Sequence, residues 1–113
     1  MKPLTSADCR HQIIVRRPEE TDNEGGGSTT TWSEIGRPWA ELIGLDGRES
    51  VMNKVLEGVS VRRIRVWYRT DIDDKCQISA DGLTLNVRSV ADPWGTRREL
   101  VIIADTAGTL KNA

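Results

Sequence analysis

The side chains in this 113-residue chain that are suited to chemistry are few and poorly spaced for it. The single histidine, His11, stands two residues from Cys9, and Cys76 is the only other cysteine. A nucleophile and base need partners held in register, and no motif supplies His11 with a serine or cysteine partner. Cys9, His11 and Cys76 offer three soft ligands without the paired spacing of a zinc site. The run GGGSTTT lacks the Gly-Lys-Ser/Thr ending and the strand-to-helix setting of a phosphate loop. Asp71, Asp73 and Asp74 resemble the start of a calcium loop, but Lys75 occupies the place of the third oxygen ligand. The expectation is a non-enzymatic chain with no catalytic residue, metal or cofactor.

Two features remain that point to binding. One is the alternation Arg63, Arg65, Trp67, Arg69, a basic and aromatic strand face able to stack, meet carboxylates or touch phosphates. Trp and Arg are enriched where protein interfaces hold most tightly, so this face, with Arg48 and Glu49, is the candidate interface. The other is the segment 19–31, EETDNEGGGSTTT, which carries no apolar side chain. Its Glu19, Glu20, Asp22, Glu24, Gly25, Gly26, Gly27 and Ser28 form an acidic, glycine-rich stretch far longer than a strand connection needs. No Lys or Arg falls between Pro18 and Gly36, so an acidic segment is set in a more basic body.

These features must be positioned by β-structure. A first strand is expected over 10–17, with His11, Ile13 and Val15 on one face and Pro18 ending it. Threonines 29–31 and Trp32 are strand formers, and 39–45 resumes the extended pattern. A helix is expected over 48–57, from Arg48 to Glu57, with Asp46 as N-cap, Glu49 completing a capping box and Gly58 at the end. Residues 59–70 alternate cleanly, placing Ile64, Val66 and Tyr68 opposite the arginines. A short strand at 76–79 leads through an Asp81-Gly82 hairpin to an alternating run at Leu83, Leu85 and Val87. The last strand, 97–105, is apolar on both faces at its centre and therefore belongs mid-sheet. This pattern predicts a mainly β fold, a small antiparallel β-barrel or sandwich with one short helix and a long loop after the first strand.

The bulk numbers agree. One domain over 1–113 is expected, with a folded core at 10–105 and a frayed tail at 106–113. The longest apolar run, LVIIA, is far short of a membrane span, and the N-terminus has no apolar signal region. Two cysteines make no disulfide framework, so both read as free thiols of a protein made in a reducing cytoplasm. A net charge of −1 does not by itself call for nucleic acid. A monomeric nucleic-acid-binding β-barrel using Arg63, Arg65, Trp67 and Arg69 stays open as an alternative.

The order of short motifs is more specific than any one of them. A strand ending Arg-Pro-Glu-Glu-Thr is followed by a Gly-Gly loop, Thr-Thr-Trp and Trp39-Ala40-Glu41. Then come Leu45-Asp46-Gly47-Arg48-Glu49, Val66-Trp67-Tyr68-Arg69, Val87-Arg88-Ser89-Val90 and Arg97-Arg98-Glu99-Leu100. From Arg10 to Ala104 the chain resembles the head–tail joining proteins of long-tailed bacteriophages, also called head-closure or stopper proteins. The resemblance implies a virion protein, made in the bacterial host cytoplasm, that assembles as a ring, generally a dodecamer. Its implied partners are the portal-bound adaptor above, the tail-terminator or tail tube protein below, and packaged double-stranded DNA, touched weakly and without sequence preference. No membrane is implied. The 19–31 segment corresponds to the family's channel-facing loop, which helps retain packaged DNA until the tail is attached.

Overall fold

The computed structural model describes residues 2–22, 25–44 and 58–107. Eight strands form one antiparallel sheet: β1 (His11–Gln12), β2 (Ile14–Asp22), β3 (Ser28–Gly36), β4 (Trp39–Gly44), β5 (Val61–Trp67), β6 (Gln77–Ala80), β7 (Leu83–Ala91) and β8 (Glu99–Asp105). Their order across the sheet is β1-β4-β5-β8-β7-β6-β2-β3. β1 and β2 are separated only by Ile13, yet they pair toward opposite ends of that order. The sheet must therefore curl until one stretch of chain serves both ends, which makes it a half-barrel. Ile13 itself is fully buried, and its N–H donates to the Pro38 carbonyl at 3.0 Å.

The concave side holds the core. Ile64 and Val66 of β5, Ile78 of β6, Leu85 and Val87 of β7, and Leu100, Ile102 and Ala104 of β8 are buried there with Ile13, Val15 and Ala40. This is the period of two expected from the sequence. β8 lies between β5 and β7, the interior place its apolar centre requires. Asp81 and Gly82 both have positive φ (52° and 71°), the two-residue turn that joins β6 to β7. Among the described residues the only helical element is a 3-10 turn at Ser6–Asp8. The helix expected over 48–57 lies outside the described residues.

The largest departure from expectation lies after Pro18. The strand does not end there. β2 runs on to Asp22, and β3 pairs with it from Val15↔Gly36 out to Asp22↔Ser28. Most of the stretch expected as loop is thus two-stranded ribbon, and the connection is only 23–27. Pro18 is tolerated because β6 pairs with β2 only from Ile14 to Arg16, so beyond that point β2 has a single neighbour. Threonines 29–31 supply the β-branched side chains that favour extension. The molecule is elongated, with extents of 52 × 34 × 23 Å. Its radius of gyration is 15.1 Å, above the ~13 Å of a compact domain of about this length.

Candidate functional site

The arm is gripped at its base and unsupported beyond it. On β2, Arg17 Nη2 pairs with Asp73 Oδ2 at 3.0 Å, and its Nη1 donates to the Asp71 carbonyl at 3.4 Å. Opposite, Arg69 lies over Gly36: its Nη2 donates to the Ile35 carbonyl at 3.1 Å while Nε and Nη2 form a fork to Asp71 at 2.9 and 2.8 Å. A Cβ on Gly36 would stand 2.6 Å from Arg69 Nη2, so glycine lets the guanidinium approach this close. Ile35 is an extra residue between the Val15↔Gly36 and Arg16↔Glu34 pairs, a bulge that bends the ribbon where the clamp grips it. The Arg69 fork holds the Asp71 carboxyl below its usual range, although partial burial opposes this. Asp71 and Asp73, considered as calcium ligands, are thus committed to arginines.

Past the clamp two threonine hydroxyls bond across the ribbon. Thr21 Oγ1 donates to the Thr29 carbonyl at 3.4 Å and Thr31 Oγ1 to the Glu19 carbonyl at 3.3 Å. Glu19, Glu20, Asp22, Gly25, Gly26, Gly27 and Ser28 are all exposed. Gly26 has φ of 87° in the connection. Glu24 lies outside the described residues.

The basic face of β5 is not the free surface that its alternation suggests. Arg65 is 2% exposed. Its guanidinium pairs with Glu99 Oε1 through Nε at 3.0 Å and through Nη2, with Glu41 Oε1 at 3.3 Å, and with the Lys2 carbonyl. Glu99, fully buried, accepts from the Leu4 N–H at 2.7 Å through its other oxygen. Burial pushes the Glu99 carboxyl up, but the Leu4 N–H, the Arg65 guanidinium and the Trp94 indole outweigh it and hold it below its usual range. The network ties the N-terminal segment across the convex side of β5 and β8, with Leu4 fully buried beneath it. Arg69 is bound at the clamp. Trp67 remains 39% exposed, and Arg63 is half-buried. Arg48 and Glu49 lie outside the described residues.

The thiols hold their protons: burial pushes both Cys9 and Cys76 up. Cys76 sits in the core, whereas His11 is exposed on β1. Glu99, Glu41, Leu4 and Trp94 were not among the site residues expected from the sequence. The one available cue was an acid heading an apolar strand, ELVIIAD, which needs a partner if it is buried.

The comparisons with known proteins fit this arrangement. The phage head completion protein family matches residues 4–107. The chain belongs to that family. It is a structural component of the virion that acts where the head is completed and joined to the tail, in association with other phage head and tail proteins. The solution structure of protein SF1141 from Shigella flexneri 2a shares the fold, with a TM-score of 0.71, 21% identity, and coverage of 93% of this chain and 98% of that one. A chain in the virion of a native gene transfer agent particle is also similar, with a TM-score of 0.60, 14% identity, and coverage of 86% and 94%. A comparison with curated proteins finds no match. Among the described residues no helix is long and apolar enough to cross a membrane.

Proposed function

We propose that this head completion protein assembles as a ring, a dodecamer, between the portal-bound adaptor and the tail-terminator or tail tube protein, with the arm facing the channel. The observation that carries the reading is the arm itself, clamped at Arg17 and Gly36 and exposed from Glu19 outward among the described residues. In the free subunit a ribbon held at its root swings as a unit at small cost, because no buried apolar contact among its described residues is broken. Repeated around a ring, its carboxylates concentrate like charge near the axis, and DNA phosphates are repelled rather than gripped. The arm then retains packaged DNA by obstruction, and DNA contact is weak and non-specific.

The test is to shorten the arm by replacing residues 23–27 with Asn-Gly, a two-residue turn that joins the paired Asp22 and Ser28 and keeps Glu20 and Asp22. Heads carrying this variant are expected to assemble and then lose DNA before tail attachment. Normal DNA retention in tail-less heads would show that the arm does not gate. The alternative nucleic-acid module fits less well, because Arg65 is covered and Arg69 is bound to Asp71. It predicts strongly salt-dependent oligonucleotide binding that is lost in Trp67→Ala, whereas the ring reading predicts little free affinity.

A further inference from the structure

The chain has four tryptophans and no phenylalanine, and every tryptophan is at least 36% exposed. Tryptophan is highly buried on average, so a fold that builds its core from Ile, Val, Leu and Ala while leaving all its indoles at the surface has another use for them. Two of them flank one point. Trp67 pairs in register with Glu99, and Trp94 lies near enough to the Glu99 carboxylate to favour its ionised form. Trp39 lies two residues beyond the Glu41↔Arg65 pair, on the same convex side.

The loop that carries Trp94 is held rigidly. Asp92 Oδ1 accepts from the N–H groups of Trp94 and Gly95 at 3.3 and 3.0 Å, and Oδ2 accepts from the Arg97 N–H at 2.8 Å. This holds Arg97 at φ of 57°, a left-handed conformation that costs a non-glycine residue energy and is found where a site is preset. The result is an exposed arginine on the loop that carries exposed Trp94 and leads into β8, where Glu99 pairs with Trp67. The complementary surface is on the arm. Pro18 and Trp32 are directly paired, and Glu20↔Thr30 and Asp22↔Ser28 continue the same face outward. An apolar spot is therefore followed by two carboxylates at ~7 and ~13 Å along the strand. These carboxylates meet no cation of their own chain among the described residues.

The geometry points to a contact between copies: the Pro18, Trp32, Glu20 and Asp22 face of one subunit's arm lies on the Trp67, Trp94 and Arg97 face of the next. Such a contact is heterologous, joining two different patches, which is the type that closes rings. The occupant is a second copy because the acidic arm and the aromatic, basic face are complementary and both belong to this chain. The inference rests on the ring reading and names its contact.

A charge swap tests it in heads produced without this gene and supplied with variants, with connector occupancy imaged on tail-less particles. Arg97→Asp and the pair Glu20→Lys with Asp22→Lys are each expected to lower ring occupancy at least tenfold. The triple variant is expected to recover it to within threefold of the unmodified protein. Aspartate is chosen because it tolerates the left-handed backbone at 97. Trp94→Ala, which leaves every charge in place, is expected to lose at least tenfold and not to be rescued by the arm variants. Normal occupancy with either charge variant alone, or a triple variant no better than its parents, overturns the contact. If the unmodified protein sits on heads as fewer copies than a closed ring, the ring reading fails instead.

Discussion

The two ends of this molecule use charge in opposite ways. At the Glu99 end, Arg65, Glu41, the Lys2 carbonyl and the Leu4 N–H are packed together, and almost every polar atom is answered from within the chain. On the arm, Glu19, Glu20 and Asp22 stand in solvent on a ribbon crossed by threonine bonds. The first arrangement fixes one conformation. The second leaves interactions unmade in the isolated subunit and available in an assembly. A connector protein needs both, a body that does not yield and an extension that can be satisfied by something else.

The sharpest way to break this comparison is at Arg65. Arg65→Ala leaves Glu99 buried and uncompensated, so a loss of about 3–5 kcal/mol is expected in urea unfolding. A loss no larger than that of a surface substitution would mean the network does not hold the N-terminal segment. The same network predicts a pH dependence. Glu99 and Asp71 both lie below their usual ranges when folded, so the unfolded chain takes up protons first as pH falls. Their contribution to stability is complete above the ordinary carboxylate range and is lost as pH drops through it toward the folded values. Unfolding free energy measured against pH should fall there, and less steeply in Glu99→Gln, provided that variant folds.

At the junction of the two regions, Gly36→Ala must displace the Arg69 guanidinium from its seat between Ile35 and Asp71. A cost of about 1 kcal/mol is expected, the scale of one lost hydrogen bond. Equal stability would show that Arg69 does not clamp the arm. Smallest of all, Glu20→Lys with Asp22→Lys should change the stability of the free subunit by less than about 0.5 kcal/mol, because nothing in that subunit depends on those charges. A large change would place the arm among the stabilising parts and erase the contrast.

How legible these regions were in the sequence follows from the same difference. Alternation at Ile64, Val66, Leu85 and Val87 identified the core face, because burial on one side of a strand imposes a period of two. The Asp81-Gly82 turn was readable because its backbone demands those residues. The arm was read as loop because Pro18 signals a strand end, and a sequence does not show that a strand has lost one of its two neighbours there. Arg65 was read as surface because arginine usually is. Its burial depends on Glu99 and Leu4, whose proximity only the folded topology creates.

That topology also sets an order of events. Part of what closes the curled sheet waits for late partners: Ile14 pairs with Ser79, and Leu4 with Glu99, 95 positions further along the chain. During synthesis the first segment made is therefore among the last to dock, since its place does not exist until β8 has emerged. Contacts so distant in sequence slow folding through the entropy of closing long loops. A nascent chain halted before Glu99 would hold an open, edge-exposed sheet, and closure would mark the moment at which the subunit becomes safe to accumulate.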